Sequence, residues 1–246
     1  MRRRGGSGCP AAPQTSAAIL DAVSGASLDW LERLRGRFLV FDGPDGSGKS
    51  TQLSRFTACC RERGVPVTEV REPGGTPIGE QIRRVLLDPA NAEMDVRCEM
   101  LLYMASRAQL VHERIDPALR DGHLVISDRF VSSTLAYQGT AGGLSSDEIR
   151  DVARVAVGAR MPDLVVIFDV DEATSARRLS PLLDRMEQKG SPFHRRVRAG
   201  YLDQASQDPS RHLVVDASRD ADTVFAALMK ELAARVATLA PLSLRA

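Results

Sequence analysis

Residues 41–52 of the chain read FDGPDGSGKSTQ and contain the pattern G-x-x-x-x-G-K-[ST], with Gly43, Gly48, Lys49 and Ser50 at its fixed positions. Glycines let consecutive backbone N–H groups point into one loop, the lysine reaches the outer phosphates of a nucleotide, and the hydroxyl binds Mg²⁺. With average residue usage, roughly one chain of this length in a hundred carries the pattern by chance. The stretch therefore predicts a phosphate-binding loop.

The sequence on either side of this loop predicts a strand before it and a helix after it. RFLVFDG, residues 37–43, is apolar and rich in β-forming residues, as in a buried parallel strand. KSTQLSRFTACCRERG, residues 49–64, has a helical composition, and its glycine is a stop signal. In this arrangement the helix dipole faces the anion. The residues predicted to bind the nucleotide are Gly43, Pro44, Asp45, Gly46, Ser47, Gly48, Lys49, Ser50 and Thr51.

Composition favours one α/β domain in the cytoplasm. The chain has 246 residues, of which 43% are hydrophobic, and its 33 Lys and Arg nearly balance its 32 Asp and Glu. This balance gives no indication of a nucleic-acid or membrane surface. No apolar stretch approaches the roughly 20 residues that a membrane helix needs, and no apolar core of a signal peptide follows the arginines at the N-terminus. The four cysteines form no C-x-x-C pair, which is typical of reduced thiols.

The order of apolar runs predicts a mostly parallel five-stranded sheet flanked by helices. Residues 1–36 are predicted to be a disordered or loosely helical extension, and residues 37–246 the folded domain. Strands are predicted within 37–43, 65–70, 123–130, 163–170 and 211–217, with helices between them, including a long one over 95–120 that Pro117 bends. Ligands of such sheets bind at the carboxyl ends of the strands.

Two of the predicted strands end in an acidic residue. LVISD ends at Asp128 and LVVIFD at Asp169. An acid at a strand tip beside the glycine loop is placed to hold Mg²⁺ and its waters, so Asp128 is predicted to bind the metal together with Ser50. Asp128 is favoured because Arg129 follows it and can neutralise a phosphate. For Asp169, a role in a strand-end turn is equally compatible with the pattern.

Several motifs in order resemble those of bacterial thymidylate kinase. They are GPDGSGKST, REPGGTP, ASRAQLVHERIDPAL, ISDRFVSSTLAYQG and DRME followed by FHRRVRAGYL, and the resemblance covers residues 37–240. It implies a three-layer P-loop NTPase fold with a short helical lid. It also implies a cytoplasmic homodimer that transfers the γ-phosphate of ATP to dTMP with Mg²⁺.

The resemblance further implies which residues bind dTMP. Tyr103 matches the aromatic residue that stacks on thymine, and Arg107, four places later on the same helix face, matches the arginine that bonds the base. The sequence alone leaves open that Tyr103 belongs to the core and that a second candidate, Arg83, is a solvated surface residue. The full set implied for the acceptor is Asp45, Arg83, Tyr103, Arg107, Arg129, Thr134 and Gln138.

Charge on the transferring phosphoryl group is expected to come from a lid at about residues 176–196. Gly46 stands where one branch of the family has a catalytic arginine, so the resemblance is to the branch with basic lid residues. The lid is two residues shorter than the common bacterial form and lacks its glycine before DR, which leaves the choice among its arginines open. The candidate catalytic residues are Lys49, Asp128, Arg129, Arg177, Arg178 and Arg185.

Three alternative functions fit the sequence less well than thymidylate phosphorylation. A kinase for UMP, CMP or AMP is disfavoured by REPGGT and AYQG together with Arg107. A signalling GTPase would need an N-K-x-D element, and the only asparagine, Asn91, is followed by alanine. A nucleotide-binding protein without turnover is disfavoured because the residues expected for catalysis are all present, namely Lys49, Ser50, Asp128 and Arg129.

Overall fold

A five-stranded sheet, parallel throughout, forms the centre of the computed structural model, which describes residues 28–179 and 184–240. The order of its strands is β2-β3-β1-β4-β5. The strands are Phe38–Asp42 (β1), Val67–Arg71 (β2), Leu124–Asp128 (β3), Leu164–Asp169 (β4) and His212–Asp216 (β5). The predicted sheet is therefore confirmed in both strand number and direction.

Helices connect the strands and cover the sheet. They are Lys49–Glu62 (α1), Pro77–Leu87 (α2), Val96–Leu110 (α3), Asp116–Arg120 (α4), Val131–Thr134 (α5), Ser146–Val157 (α6), Glu172–Arg178 (α7), Ser191–Gln207 (α8) and Ala221–Thr238 (α9). Short 3₁₀ segments span Asp29–Leu34, Pro89–Asn91 and Glu187–Lys189, and π-helical turns span Val111–Ile115 and Leu135–Ala141. None of the helices in the described residues is both long and apolar enough to cross a membrane.

Local sequence explains where several helices begin and bend. Ser145 and Glu148 form the capping box predicted at the start of α6. Thr76 caps α2 by accepting from the Gly79 N–H at 3.0 Å. The long helix predicted over 95–120 consists of α3, a π-helical turn and α4, and Pro117 lies in the first turn of α4, where its missing N–H is tolerated.

Each face of the sheet carries its own hydrophobic core. Leu39 and Phe41 of β1 pack in the cluster that includes residues of α1 and α9, whereas Phe38 and Val40 pack in the cluster that includes residues of α3, α6 and α8. Alternate residues of a strand point to opposite faces, so β1 is completely buried. Because both faces of β1 are covered, a polar residue of this strand is accommodated at its end, where Asp42 lies.

Strand register places the acidic strand ends at one edge of the sheet. Phe41 of β1 lies opposite Asp128 of β3, and Asp42 lies opposite Ile167 of β4. The loop after β1 is therefore next to both Asp128 and the end of β4.

Residues 28–36 are part of the folded domain. Most of the extension predicted over 1–36 lies outside the described residues, but Leu31 and Leu34 are fully buried in the cluster that contains α1 and α9. Trp30 stacks on Phe56 of α1 with ring centroids 6.4 Å apart. The apolar face of the Asp29–Leu34 turn covers α1 and α9, which would otherwise expose apolar side chains to water at this point. The folded domain therefore includes residues before Arg37.

Leu31→Ala is expected to lower the free energy of unfolding by about 2–5 kcal/mol, because it leaves a cavity in this core. Val155→Ala is the matched control, since Val155 is 89% exposed and such a truncation changes stability by about 0.5 kcal/mol or less. Urea unfolding of both variants measures the difference. Equal stability of the two would contradict the placement of residues 28–34 in the core.

Candidate active site

The loop between β1 and α1 is shaped for close approach of its backbone to a ligand. Gly43 and Gly46 have φ of +131° and +72°, and a Cβ on either would lie 2.5 Å from a carbonyl oxygen, of Phe168 or Ser175 respectively. Only glycine fits at these two positions. No side chain caps the N-terminus of α1, so its first N–H groups remain available to an anion.

Lys49 lies inside this loop. Its Nζ donates to the carbonyl oxygens of Gly43 and Pro44 at 3.2 and 3.1 Å, and the residue is almost fully buried. Burial, assisted by the nearby charge of Arg129, lowers the pKa of Lys49. Within residues 28–179 and 184–240, no carboxylate is hydrogen-bonded to this cation, which is the arrangement expected where phosphate supplies the negative charge.

A cavity of about 570 Å³ extends from this loop toward the turn between β5 and α9. Its far end is lined by Arg178, Ala217, Arg219, Ala221 and Val224. The apolar side chains and the arginines at that end suit a flat nucleoside base, and the loop at the other end suits its phosphates.

The residues predicted to hold Mg²⁺ lie side by side at this cavity. Ser50 Oγ and Asp128 Oδ2 are 3.4 Å apart. Mg²⁺ at a nucleotide takes one or two protein oxygens and completes its shell with phosphate oxygens and waters, so the pair fits the ion. Within residues 28–179 and 184–240, no group of three or more His, Cys, Asp or Glu is placed to hold a metal, so a metal here would depend on the phosphates.

Arg129 is the centre of a polar network between strand ends. Its Nη1 donates to Ser133 Oγ at 3.0 Å, to Tyr201 Oη at 3.1 Å and to Asp42 Oδ1 at 3.4 Å. Its backbone has φ of +72°, the only positive value for a described residue other than glycine. Contacts from three elements hold the guanidinium in place despite that backbone cost.

Asp45 points from the phosphate loop to Arg129. Its carboxylate pairs with Arg129 Nη2 and accepts from Tyr137 Oη at 2.6 Å. Burial alone would raise the pKa of Asp45, but the charges of Arg129 and Lys49 and the Tyr137 hydroxyl hold that pKa at about 2. Its negative charge is thus turned away from the loop's N–H groups.

A second cavity of about 200 Å³ adjoins the first. Its lining includes Arg83, Tyr103, Thr134 and Gln138, which the sequence assigned to the acceptor. The lining residues that the two cavities share are Asp45, Arg129 and Glu187. Two ligands that fill these cavities would therefore meet at Arg129, beside the phosphate loop.

Comparison with known proteins identifies the family to which this arrangement belongs. Residues 41–228 match the family model described as thymidylate kinase. The chain belongs to the thymidylate kinase family. It is 49% identical over 188 residues to a thymidylate kinase of Symbiobacterium thermophilum, covering 76% of this chain and 88% of that one. It is 46% identical over 205 residues to a thymidylate kinase of Deinococcus radiodurans, covering 82% and 98%.

A solved structure of a family member has the same fold. The crystal structure of thymidylate kinase from Ehrlichia chaffeensis is 31% identical in sequence and superposes with a TM-score of 0.65, covering 80% of this chain and 98% of that one. The P-loop NTPase fold inferred from the motifs is thus confirmed.

One residue expected to bind the base in a thymidylate kinase does not line the acceptor cavity. Arg107 is fully buried and pairs with Glu72 at 2.6 Å. It also donates to Thr134 Oγ1 at 3.1 Å and to the Phe130 carbonyl oxygen at 3.0 Å. Burial raises the pKa of Glu72 to about 7, although Arg107 opposes this shift. Arg107 therefore lies behind the wall of the cavity and holds Thr134, which lines it.

The three candidate lid arginines occupy different environments. Arg178 lines the larger cavity and donates to the Ala217 carbonyl oxygen at 2.8 Å. Arg177 is exposed and donates to Thr174 Oγ1 at 2.9 Å. Arg185 is buried, with Nη2 2.5 Å from Glu99 Oε2, so it does not face the phosphate loop. The break predicted at Ser180–Pro181 lies outside the described residues.

Sequence reasoning missed several polar residues of the site. Asp42 carries a signal that was available, because it ends β1 as Asp128 ends β3. Tyr201 and Glu99 had none, since both lie on helices far along the chain from their partners, Asp42 and Gln138. The other strand-end acid, Asp169, forms a two-bond ion pair with Arg198 at 2.6 and 2.7 Å instead of lining either cavity.

Proposed function

We propose that the protein transfers the γ-phosphate of ATP to dTMP and releases dTDP and ADP. The observation that carries this proposal is the meeting of two cavities at Arg129, Asp45 and Glu187, next to the phosphate loop, in a member of the thymidylate kinase family. The larger cavity extends from the phosphate loop to the turn after β5, and the smaller one adjoins it at these three residues.

The donor binds along the larger cavity. Its phosphates accept from N–H groups of residues 45–51, and Lys49 exchanges its carbonyl contacts with Gly43 and Pro44 for phosphate oxygens. Its base lies between Arg178 and the turn at Ala217–Ala221. Arg178 is fixed there by three backbone carbonyl oxygens, so it forms a rigid wall for the base.

The metal proposed for this reaction is Mg²⁺, held by Ser50 and Asp128. When bound, it neutralises negative charge on the donor phosphates and keeps them in line with the acceptor.

The acceptor binds in the smaller cavity. Tyr103 presents its ring to the base, and burial raises the pKa of its hydroxyl, which therefore stays neutral. Gln138 and Thr134 present polar atoms to the base and sugar. Arg83, half-buried and held by the Pro73 carbonyl oxygen at 2.9 Å, lies with Arg129 on the path of the acceptor phosphate.

The transfer needs no general base. An oxygen of the dTMP phosphate is already anionic near neutral pH; it forms a bond to the γ-phosphorus while the bond from that phosphorus to the β–γ bridging oxygen breaks. Arg129 lies where these groups meet, so its guanidinium offsets their repulsion. Arg178 is the lid arginine placed to reach the donor, while Arg177 and Arg185 require a lid movement to do so.

The working assembly proposed here is a cytoplasmic homodimer. Ile78 and Val85 on α2 and Leu101 on α3 are 45–53% exposed, and the two helices pack together. Such apolar side chains on one helix pair suit contact with a second copy. Sedimentation equilibrium distinguishes a dimer of 26.7 kDa chains from a monomer.

A substrate panel tests the function. ATP turnover with dTMP is expected to exceed turnover with UMP, CMP or AMP by about tenfold or more, since hydrogen-bonded sites discriminate strongly between polar ligands. Removal of Mg²⁺ with EDTA is expected to abolish turnover, and its return to restore it. Equal turnover of dTMP and UMP would instead favour a general monophosphate kinase.

A further inference from the structure

Glu99 is a fully buried carboxylate next to the acceptor cavity. It lies on α3, four residues before Tyr103, and therefore on the same face of that helix. An isolated carboxylate is costly to bury, so its partners must compensate it.

Two side chains from outside α3 donate hydrogen bonds to this carboxylate, and a third forms an ion pair with it. Gln138 Nε2 lies 2.7 Å from Oε1. Lys189 Nζ lies 3.2 Å from Oε1 and 3.0 Å from Oε2, and Arg185 Nη2 lies 2.5 Å from Oε2. The two cations, Lys189 and Arg185, compensate the buried charge, and Gln138 is the one uncharged side chain among the three partners.

That bond determines which end of the Gln138 amide faces the cavity. A carboxylate compensated by two cations accepts and does not donate, so only the NH₂ group of Gln138 can face Glu99. Gln138 also lines the acceptor cavity, and among the described residues its Oε1 has no hydrogen-bond partner. The end of the amide left for the ligand is therefore the acceptor.

We propose that Glu99 is a positioning residue for base recognition, which fixes the Gln138 amide so that its carbonyl oxygen accepts from the N3–H of the acceptor base. This inference rests on the proposed transfer to dTMP. Thymine and uracil carry N3–H, whereas N3 of cytosine is an acceptor and would meet the Gln138 oxygen lone pair to lone pair. Glu99 thus contributes to rejection of dCMP without touching the substrate.

Glu99→Gln tests this role because it reverses the hydrogen-bond direction. Arg185 and Lys189 can only donate, so they hold the oxygen of the new amide; its NH₂ group then faces Gln138. Gln138 would accept with Oε1 and turn its own NH₂ toward the cavity. The ratio of kcat/KM for dTMP to that for dCMP is expected to fall by about tenfold or more. The reason is that dTMP loses the hydrogen bond from its N3–H to Gln138, whereas N3 of dCMP gains one from the Gln138 NH₂ group. The ratio for dTMP to dUMP is expected to change by less than about twofold.

Two further variants keep the test independent of folding. Glu99→Gln combined with Lys189→Met restores the net charge of the cluster and is expected to show the same loss of discrimination. Glu172→Gln, which breaks an exposed ion pair between α7 and α8 with Arg195 at 3.2 Å, is expected to leave both ratios unchanged. In a Gln138→Ala background, Glu99→Gln is expected to have no further effect on either ratio.

Two different results would contradict the inference about Glu99 and the proposed function separately. If Glu99→Gln lowers kcat/KM for dTMP, dUMP and dCMP by one common factor, Glu99 is structural only and the inference is overturned. If the unchanged protein does not phosphorylate dTMP, the proposed function is overturned, and the assigned substrate with it.

Discussion

Arg129→Lys is expected to lower kcat/KM for dTMP by about 10²- to 10³-fold, although the substitution keeps the positive charge. The guanidinium uses two separate nitrogens: Nη1 donates to Asp42, Ser133 and Tyr201, and Nη2 pairs with Asp45. A phosphate that displaces Asp45 from Nη2 leaves the Nη1 contacts in place, so the cation stays aimed. A lysine ammonium is a single point and cannot serve both sides. Steady-state kinetics with varied dTMP measures the loss.

The backbone cost at this position does not confound the comparison. Lysine meets the same steric penalty as arginine at φ of +72°, so Arg129→Lys adds no strain. Arg150→Lys is the matched control, since Arg150 pairs with Asp147 on the exposed face of α6. If Arg129→Lys stays within about threefold of the unchanged protein in kcat/KM, charge alone suffices and the positioning argument fails.

The sequence predicted the sheet and the phosphate loop because local physical chemistry determines both. Buried parallel strands are short continuous apolar runs. In each of the five strands, the first and last residues lie within about two residues of the predicted bounds. Gly43 and Gly46 are required by contacts to Phe168 and Ser175. Those contacts are long-range, yet they leave a local trace, because glycine is the residue that permits them.

The environments of the site arginines were less predictable, because burial of an arginine depends on distant partners. The resemblance implies that Arg107, four places after Tyr103, bonds the base, but in the structure it pairs with Glu72, 35 positions away, inside the protein. Arg185, a candidate for the phosphoryl group, is buried and contacts Glu99 and the Leu86 carbonyl oxygen. Neither carboxylate carries a local signal that identifies it as a partner.

Basic residues of the predicted lid contact two different parts of the domain. Arg185 and Lys189 pair with Glu99 of α3, and Arg178 donates to the Ala217 carbonyl oxygen after β5. Arg178 also lines the larger cavity. These contacts join elements that are far apart in the sequence, so no local pattern predicts them.

Lys49→Met is expected to lower kcat by about 10²- to 10³-fold without lowering the melting temperature of the free protein. Phosphates would supply the negative charge that pairs with Lys49. Among the described residues its Nζ donates only to the carbonyl oxygens of Gly43 and Pro44. Burial and the charge of Arg129 both disfavour its protonated form, which is why its pKa is lowered. Methionine keeps the stem and removes the buried charge, so the melting temperature should hold or rise. Thermal unfolding with and without ATP, beside steady-state kinetics, measures both effects.

Lys230→Met separates this effect from the loss of any lysine, because Lys230 is exposed on α9 and its removal should change neither kcat nor melting temperature. ATP should raise the melting temperature of the unchanged protein more than that of Lys49→Met, since the binding energy of the phosphates is realised only where the cation is present. A large loss of melting temperature in Lys49→Met without ATP would mean that the lysine stabilises the empty loop. An unchanged melting temperature without ATP, together with a smaller increase on adding ATP, would mean that Lys49 stabilises the nucleotide complex, where its charge contacts the donor phosphates.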